Sequence, residues 1–326
     1  AAVAAHALQR DASTGAWLYR HGANLTGHYY SYLVDVFVPG VGLVRNRVTD
    51  PYSISLSADS QRSYIANLNN PKLKPAGWDQ HTMPQRVQAP VDMAIYELHV
   101  RDFSIGDASV PPAQRGKYLA FTQTESNGMR HLQALARAGM TDVHLLPIFD
   151  LASVPEQRCT PPNIATPKQG DSEAPQAAST ASAAQDCFNW GYDPLHYSAP
   201  EGSYASDADD GATRIKELRQ MVMALHTAGL RVGMDVVYNH TSASGQHAQS
   251  VLDRIVPGYY HRLNASGAIE RSTCCDNTAT ENLMMGKLTM DSGVLWVTQY
   301  GIASLRLDVM EPQPRTVMEA LRTRVN

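Results

Sequence analysis

The sequence predicts an α/β fold, and three patterns predict it. From Asp92 onward, segments of strand character alternate with segments of helical period. The order β-α-β-α-β-α-β belongs to a parallel sheet with right-handed crossovers and is compatible with half of an eight-stranded (β/α)8 TIM barrel. Within that region Arg231–His240, RVGMDVVYNH, carries Val232, Met234, Val236 and Val237 in an almost continuous apolar run, the signature of a strand buried on both faces. Residues 1 to about 90 show short period-two alternation and no long helical period, which sets the last part of a β domain in front of the α/β part.

Taken in order, Tyr30, Tyr32, Val34, Val36 and Val38 recur every second residue and Pro39-Gly40 ends the run. Leu43–Val48 reads as the return strand, and Thr49-Asp50-Pro51-Tyr52 as a turn into a further extended run, Ser53–Leu56. These strands are too few for a complete sandwich, so residues 1–70 are expected to be the end of one. Residues 71–90, with four prolines and few aliphatics, read as a linker, and 91–326 as the α/β domain. There, Ala94–Val100 is the first strand and Asn127–Ala138 a helix with Met129, Leu132, Leu135 and Ala136 on one face, stopped at Gly139. Val143–Phe149 is the second strand. Ile215, Leu218, Val222 and Leu225 stripe the next helix, Gly229 ends it, and Arg231–His240 is the third strand. A helix over Glu281–Gln299 and a fourth strand over Ser304–Val309 complete the series. Two insertions interrupt it: 155–186, poor in aromatics and large aliphatics and read as a mobile surface loop, and Thr241–Asp276, long enough to shape a cleft.

Composition narrows the partners. A net charge of −4 and a pI near 6.3, with no Lys/Arg cluster, provide no field for nucleic acid. No stretch nears the roughly 20 apolar residues that cross a bilayer, so no membrane is expected, and the opening residues do not resemble a signal peptide. Cys159 and Cys187 flank the first insertion and either staple its base or stay free. Cys274 and Cys275 are adjacent, where a mutual bond is expected to be strained.

The chemistry lies on three stretches that end or follow strands: Asn189–Pro194 (NWGYDP), Asp235 with Asn239 and His240, and Arg306-Leu307-Asp308. A carboxylate inside an apolar run costs several kcal/mol to bury alone, so Asp235 is either a satisfied core acid or faces a cleft. The carboxyl ends of parallel strands are where sites are built. Tyr192 is either a core aromatic or a platform for the apolar face of a sugar ring, with carboxylates beside it for the hydroxyls. Arg306 and Asp308 are two apart on a strand and share a face, and an arginine neighbour keeps a carboxylate ionised as a nucleophile.

With these motifs the chain resembles the pullulanase and limit dextrinase branch of the alpha-amylase superfamily. The matching stretches are DVVYNH at 235–240, NWGYDP at 189–194, PEGSYASD at 200–207, VLDRIVPGYYHRLN at 251–264 and the RLD of SLRLDVM, in the family's order. The resemblance runs from about Trp17 to the C-terminus. It implies that Asp308 is the nucleophile, that Arg306 orients it and holds it ionised, and that Asp235 positions that arginine. It also implies that His240 binds hydroxyls of the sugar at the cleavage point and that Tyr192 stacks under it, with Asp193 beside. The implied reaction is retaining hydrolysis of α-1,6 branch linkages in pullulan, amylopectin or limit dextrins, through two carboxyls about 5 Å apart. The substrate partner is an α-glucan polysaccharide and no cofactor is required. The resemblance also admits calcium, because Asn239 matches a metal-linked asparagine of some amylases. The opening β segment corresponds to the end of a β-sandwich carbohydrate-binding-type module.

Two departures qualify this resemblance. The family's acid/base glutamate lies on a fifth strand and its third carboxylate after a seventh, so a chain ending at Asn326 is expected to be a truncated one, inactive alone, with strand edges unpaired. Strand four reads Ala303-Ser304-Leu305-Arg306-Leu307-Asp308 where the family has Asp-Gly-Phe-Arg-Phe-Asp, and Glu311 stands where glycine is usual. The competing readings are another α-glucan hydrolase, of isoamylase or neopullulanase type, and a non-catalytic glucan-binding protein.

Overall fold

The computed structural model describes residues 5–164, 166, 169–272 and 274–325. The chain opens with short antiparallel pairs: β1 (Gln9–Arg10) with β2 (Trp17–Leu18), and β3 (Tyr29–Tyr30), β4 (Tyr32–Val38), β5 (Gly42–Val48) and β6 (Ser63–Tyr64), where β4 pairs with β5 and β3 with β6. The period-two pattern does what it implies. Val34, Val36 and Val38 turn inward on β4, while Leu33, Asp35 and Phe37 face out and Asp35 pairs with Arg45 across the hairpin.

Ser53–Leu56 is not the strand its alternation suggests. Only an isolated bridge joins Leu56 to Ser63, and the buried serines are satisfied by other means: Ser53 N–H and Oγ both donate to the Asp50 carbonyl, and Ser55 Oγ donates to the Gly211 carbonyl at 2.8 Å. Side-chain bonds to backbone have replaced a ladder. Residues 71–90 hold a short turn, Pro71–Leu73, and pack against the following domain. Leu73 is buried, the Arg219 guanidinium lies 5.2 Å from the Trp78 ring, and it donates to the Leu68 and Leu73 carbonyls.

The α/β part follows in order: β7 (Ile95–Leu98), α1 (Asn127–Arg137), β8 (Asp142–Leu145), β9 (Phe149–Leu151), α2 (Ala174–Ser182), β10 (Pro194–Pro200), α3 (Gly211–Thr227), β11 (Arg231–Val236), β12 (His240–Thr241), β13 (Asp276–Asn277), α4 (Leu283–Tyr300), β14 (Ser304–Leu307) and α5 (Arg315–Val325). Four of these strands form one parallel sheet in the order β14-β11-β8-β7. Its apolar side packs Val143, Leu145, Val232, Met234 and Val236 with Leu132, Leu218, Val222 and Trp296, all fully buried or nearly so. Each such side chain contributes about 1.5–3 kcal/mol. Ser126 caps α1 by accepting from Met129 N–H, and Asp210 caps α3 by accepting from Ala212 and Thr213 N–H.

Within the first insertion, the segment expected as an irregular loop contains α2. None of its residues is buried, which agrees with the composition, but its alanines favour helix and Pro175 fits the first turn. Cys159 and Cys187 are bonded at its base. Cys274 and Cys275 are bonded to each other as well.

Candidate active site

Strand register builds the site. Glu97 on β7 is level with His144 on β8, His144 with Gly233 on β11, and Gly233 with Ser304 on β14. One step further along, Asp235 is level with Arg306. Side chains two apart share a face, so Glu97, His144, Asp235, Ser304 and Arg306 all line the side of the sheet opposite the core. Gly233 is what lets the first layer close. A Cβ there would overlap both the His144 ring and Ser304 Oγ, which meet across it at 3.0 Å.

Above that layer two strings of hydrogen bonds meet at Tyr192, in the loop that leads into β10. In one, the Tyr192 hydroxyl donates to Asp235 Oδ2 at 2.5 Å, and Arg306 Nη1 donates to the same oxygen at 3.1 Å and to Glu97 Oε2 at 2.8 Å. Asp235 is 2 % exposed and its Oδ1 has no partner. Burial raises its pKa, against the Tyr192 hydrogen bond and the Arg306 charge, which lower it. In the other string, the Tyr192 carbonyl lies 2.9 Å from His240 Nε2 and Asn239 Oδ1 lies 2.6 Å from His240 Nδ1. The Asn239 amide then donates to the Asp308 carbonyl (2.8 Å) and to Asp308 Oδ2 (3.2 Å). Burial lowers the His240 pKa, opposed by the Tyr192 carbonyl and the Asp308 charge.

The structure thus joins Tyr192, Asp235, Asn239, His240, Arg306 and Asp308 in one network, although not with every expected partnership. Arg306 forms its ion pairs with Asp235 and Glu97. Among the described residues no ion pair links it to Asp308, whose carboxylate is held by the Asn239 amide instead. Asp193 stands apart from the network. Its Oδ2 accepts from Ser153 Oγ and from Asn189 Nδ2, and burial pushes its pKa up to about 6. Val309, just past Asp308, has a φ of 40°, a strained value for a β-branched residue.

The fit to calcium is poor at Asn239. Its Oδ1 already faces the His240 ring and its Nδ2 serves Asp308, whereas calcium takes 6–8 oxygen ligands. Sequence reading overlooked Glu97 and His144. The signal was there in both cases, a titratable residue inside an apolar strand run (AIYELHV, DVHLLP), the same pattern that singled out Asp235.

No family model matches the chain. The pullulanase of Klebsiella pneumoniae is 42 % identical over 356 aligned positions, covering 96 % of this chain and 33 % of that protein. The chloroplastic pullulanase 1 of Arabidopsis thaliana is 44 % identical, covering 91 % of this chain and 32 % of its own length. A crystal structure of Klebsiella pneumoniae pullulanase complexed with maltotriose superposes with a TM-score of 0.93 at 40 % identity, covering 99 % of this chain and 35 % of that one. The parallel sheet therefore superposes on part of a pullulanase. The chain is a pullulanase homologue, and it spans about a third of the length of the curated relatives it matches.

Proposed function

We propose that this chain carries the nucleophile side of a retaining α-1,6-glucosidase site that acts on pullulan, amylopectin or limit dextrins. In this reading residues 91–326 are the first half of a catalytic (β/α)8 barrel with an insertion near 155–186. Residues 1–70 are the end of a β-sandwich carbohydrate-binding-type module, joined through 71–90. The observation that carries the reading is the shared network at the strand ends, in which an aromatic ring, an imidazole and two aspartates are tied together by hydrogen bonds. Asp308 attacks the anomeric carbon as the C1–O6 glycosidic bond breaks and the leaving O6 takes a proton from the acid/base carboxyl; water later hydrolyses the glycosyl ester. Asn239 fixes that carboxylate. Tyr192 offers its ring to the apolar face of the glucose, His240 its imidazole to the hydroxyls, and Asp235 holds Arg306 in place. Asp193 acts on the ring only through the loop it shares with Tyr192. Asn239 is not a calcium ligand in this reading.

No residue of this network is given the acid/base role, so in this reading the 326-residue chain binds α-glucan without cleaving it. Titration of maltotriose into the chain tests the binding half. A reducing-sugar assay on pullulan tests the other: measurable release that disappears in Asp308→Ala would refute the incomplete-site reading. Heat of binding that is absent, or unchanged in Tyr192→Ala, would refute the sugar site.

A further inference from the structure

Two bonded cysteine sulfurs lie beside the His240 imidazole. The ligand atoms of His240, Cys274 and Cys275 all fall within 4.8 Å of one another, with His240 buried, Cys275 half-buried and Cys274 exposed. A ladder, not a chance loop contact, sets this proximity. β12 pairs antiparallel with β13, His240 opposite Asn277 and Thr241 opposite Asp276, and Cys275 is the residue immediately before β13. The stretch is pinned further by Arg271 Nε donating to Asp276 Oδ1 at 2.5 Å and by Asn277 Nδ2 donating to Ser272 Oγ at 2.7 Å. The two sulfurs are bonded to each other, and nothing in the proposed hydrolysis uses them.

We propose that reduction of the Cys274–Cys275 bond opens a binding site for one thiophilic divalent cation of the zinc or cadmium class, held by both thiolates and His240. A dithiol reductant attacks one sulfur. The S–S bond breaks, two electrons pass to the protein sulfurs, and the reductant leaves as its cyclic disulfide with two thiols left behind. The cation then displaces the two thiol protons and takes the imidazole lone pair. Two thiolates balance its charge, and the donor set of sulfur and imidazole selects zinc or cadmium over calcium or magnesium. Tetrahedral geometry with Zn–S of about 2.3 Å and Zn–N of about 2.0–2.1 Å puts ligand atoms roughly 3.5–3.8 Å apart, so once the bond is broken the two sulfurs move apart to that separation while each stays within reach of the imidazole, from which both now lie within 4.8 Å. The fourth position faces solvent on the Cys274 side. His240 gives up one of its two carbonyl contacts, to Asn239 or to Tyr192, and the metal holds the ring away from sugar hydroxyls. The metal site itself stands on the three side chains; only the loss of sugar binding rests on the function proposed above.

The test uses the full chain with Cys159→Ser/Cys187→Ser to remove the other disulfide, reduced with dithiothreitol, freed of it anaerobically and titrated with Cd2+. The expected result is a near-ultraviolet sulfur-to-cadmium band saturating at one equivalent, absent without reduction. It weakens at least tenfold in affinity in His240→Gln and more in Cys275→Ser. Should the double serine variant fail to fold, the difference between the unaltered reduced chain and its Cys274→Ser/Cys275→Ser variant carries the same readout. X-ray absorption of the zinc-loaded chain gives the shell directly, with two sulfurs and one imidazole nitrogen expected. The proposal is overturned if the reduced chain shows no charge-transfer band, if His240→Gln binds with unchanged affinity, or if the zinc shell lacks imidazole.

Discussion

Arg214 is the place where a single substitution should be most costly. Its side chain is fully buried. It forms a two-pronged pair with Glu156, one bond of 2.7 Å, and donates to the Ala208 and Ser57 carbonyls at 2.9 Å. Asp150 Oδ1 lies 3.6 Å away, and the carboxylates of Asp150, Glu156 and Glu201 are all within 4.8 Å of one another. Ser60 and His196 satisfy Asp150, and His196 in turn meets Thr49 at 2.7 Å, so the cluster ties the opening β segment to β9, β10 and α3. Replacing Arg214 by Met removes the one guanidinium and leaves uncompensated buried charge, a loss of about 3–5 kcal/mol. Against a total of about 5–15 kcal/mol that is a third or more of the stability. With a urea slope of about 1–3 kcal/mol/M the midpoint falls by about 1 M or more. The deficit should also depend on pH. Burial, and then the charge of Asp150, push the Glu201 pKa up to about 7 from 4.5. A carboxyl raised on folding contributes stability that is fully present below 4.5 and lost as pH rises through the folded value. Removing Arg214 takes away the charge that lowers the Glu156 and Glu201 pKa values, so both rise further, and the deficit is largest near pH 8 and shrinks toward pH 5. Urea curves of both proteins across that range decide the matter. Arg214→Met as stable as the parent near pH 8, or a deficit that does not change with pH, would refute the argument.

Three further outcomes follow from the site and the insertion. Tyr192→Phe takes the donor from a buried carboxylate whose other oxygen is already unpartnered, and should cost about 1.5–3 kcal/mol in urea unfolding. In a pH titration followed by NMR, the His240 ring should titrate below the ordinary value of 6.5 because it is buried; its contribution to stability is then full above 6.5 and lost as pH falls through the folded value. An ordinary or raised value would contradict this. Cys187→Ser frees a loop of 28 residues' separation and should lower stability by at most about 3–4 kcal/mol, read from midpoints with and without the bond.

The parts of this fold that were legible are those set by local period. The runs around Val232 and Val143 could only be strands covered on the core side, and the stripe of Ile215, Leu218, Val222 and Leu225 could only be a helix packed on them. What was not legible depends on contacts between distant segments. Ser53–Leu56 alternates like a strand, yet the acceptor for Ser55 lies 156 positions away at Gly211, and no local pattern encodes that. Arg306 and Asp308 read as sharing a face, but Asp308 lies just past the end of β14, in a turn. The ladder then sets Arg306 beside Asp235, while Asn239 from the loop after β11 reaches Asp308 first, and spacing along one strand cannot state which neighbour arrives.

Tyr192 belongs to both strings, its hydroxyl to Asp235 and its carbonyl to His240, so the residue that sets its backbone controls both. That residue is Gly191. It sits at φ +98°, and a Cβ there would come within 2.9 Å of Pro147 Cβ and 3.1 Å of the Pro147 carbonyl oxygen. An alanine cannot take this conformation beside Pro147 without moving the backbone, which costs roughly 1–3 kcal/mol. Moving it displaces the hydroxyl and the carbonyl of Tyr192 together. Gly191→Ala should therefore weaken maltotriose binding and shift the His240 titration, while Tyr192→Phe leaves the carbonyl contact in place. The coupling is measurable as a double-mutant cycle in urea: Gly191→Ala should cost less in a Tyr192→Phe background than in the parent, because the hydroxyl bond is already gone. Strict additivity of the two substitutions would mean that the strings are independent, and that Tyr192 does not link the acid on β11 to the imidazole beside Asp308.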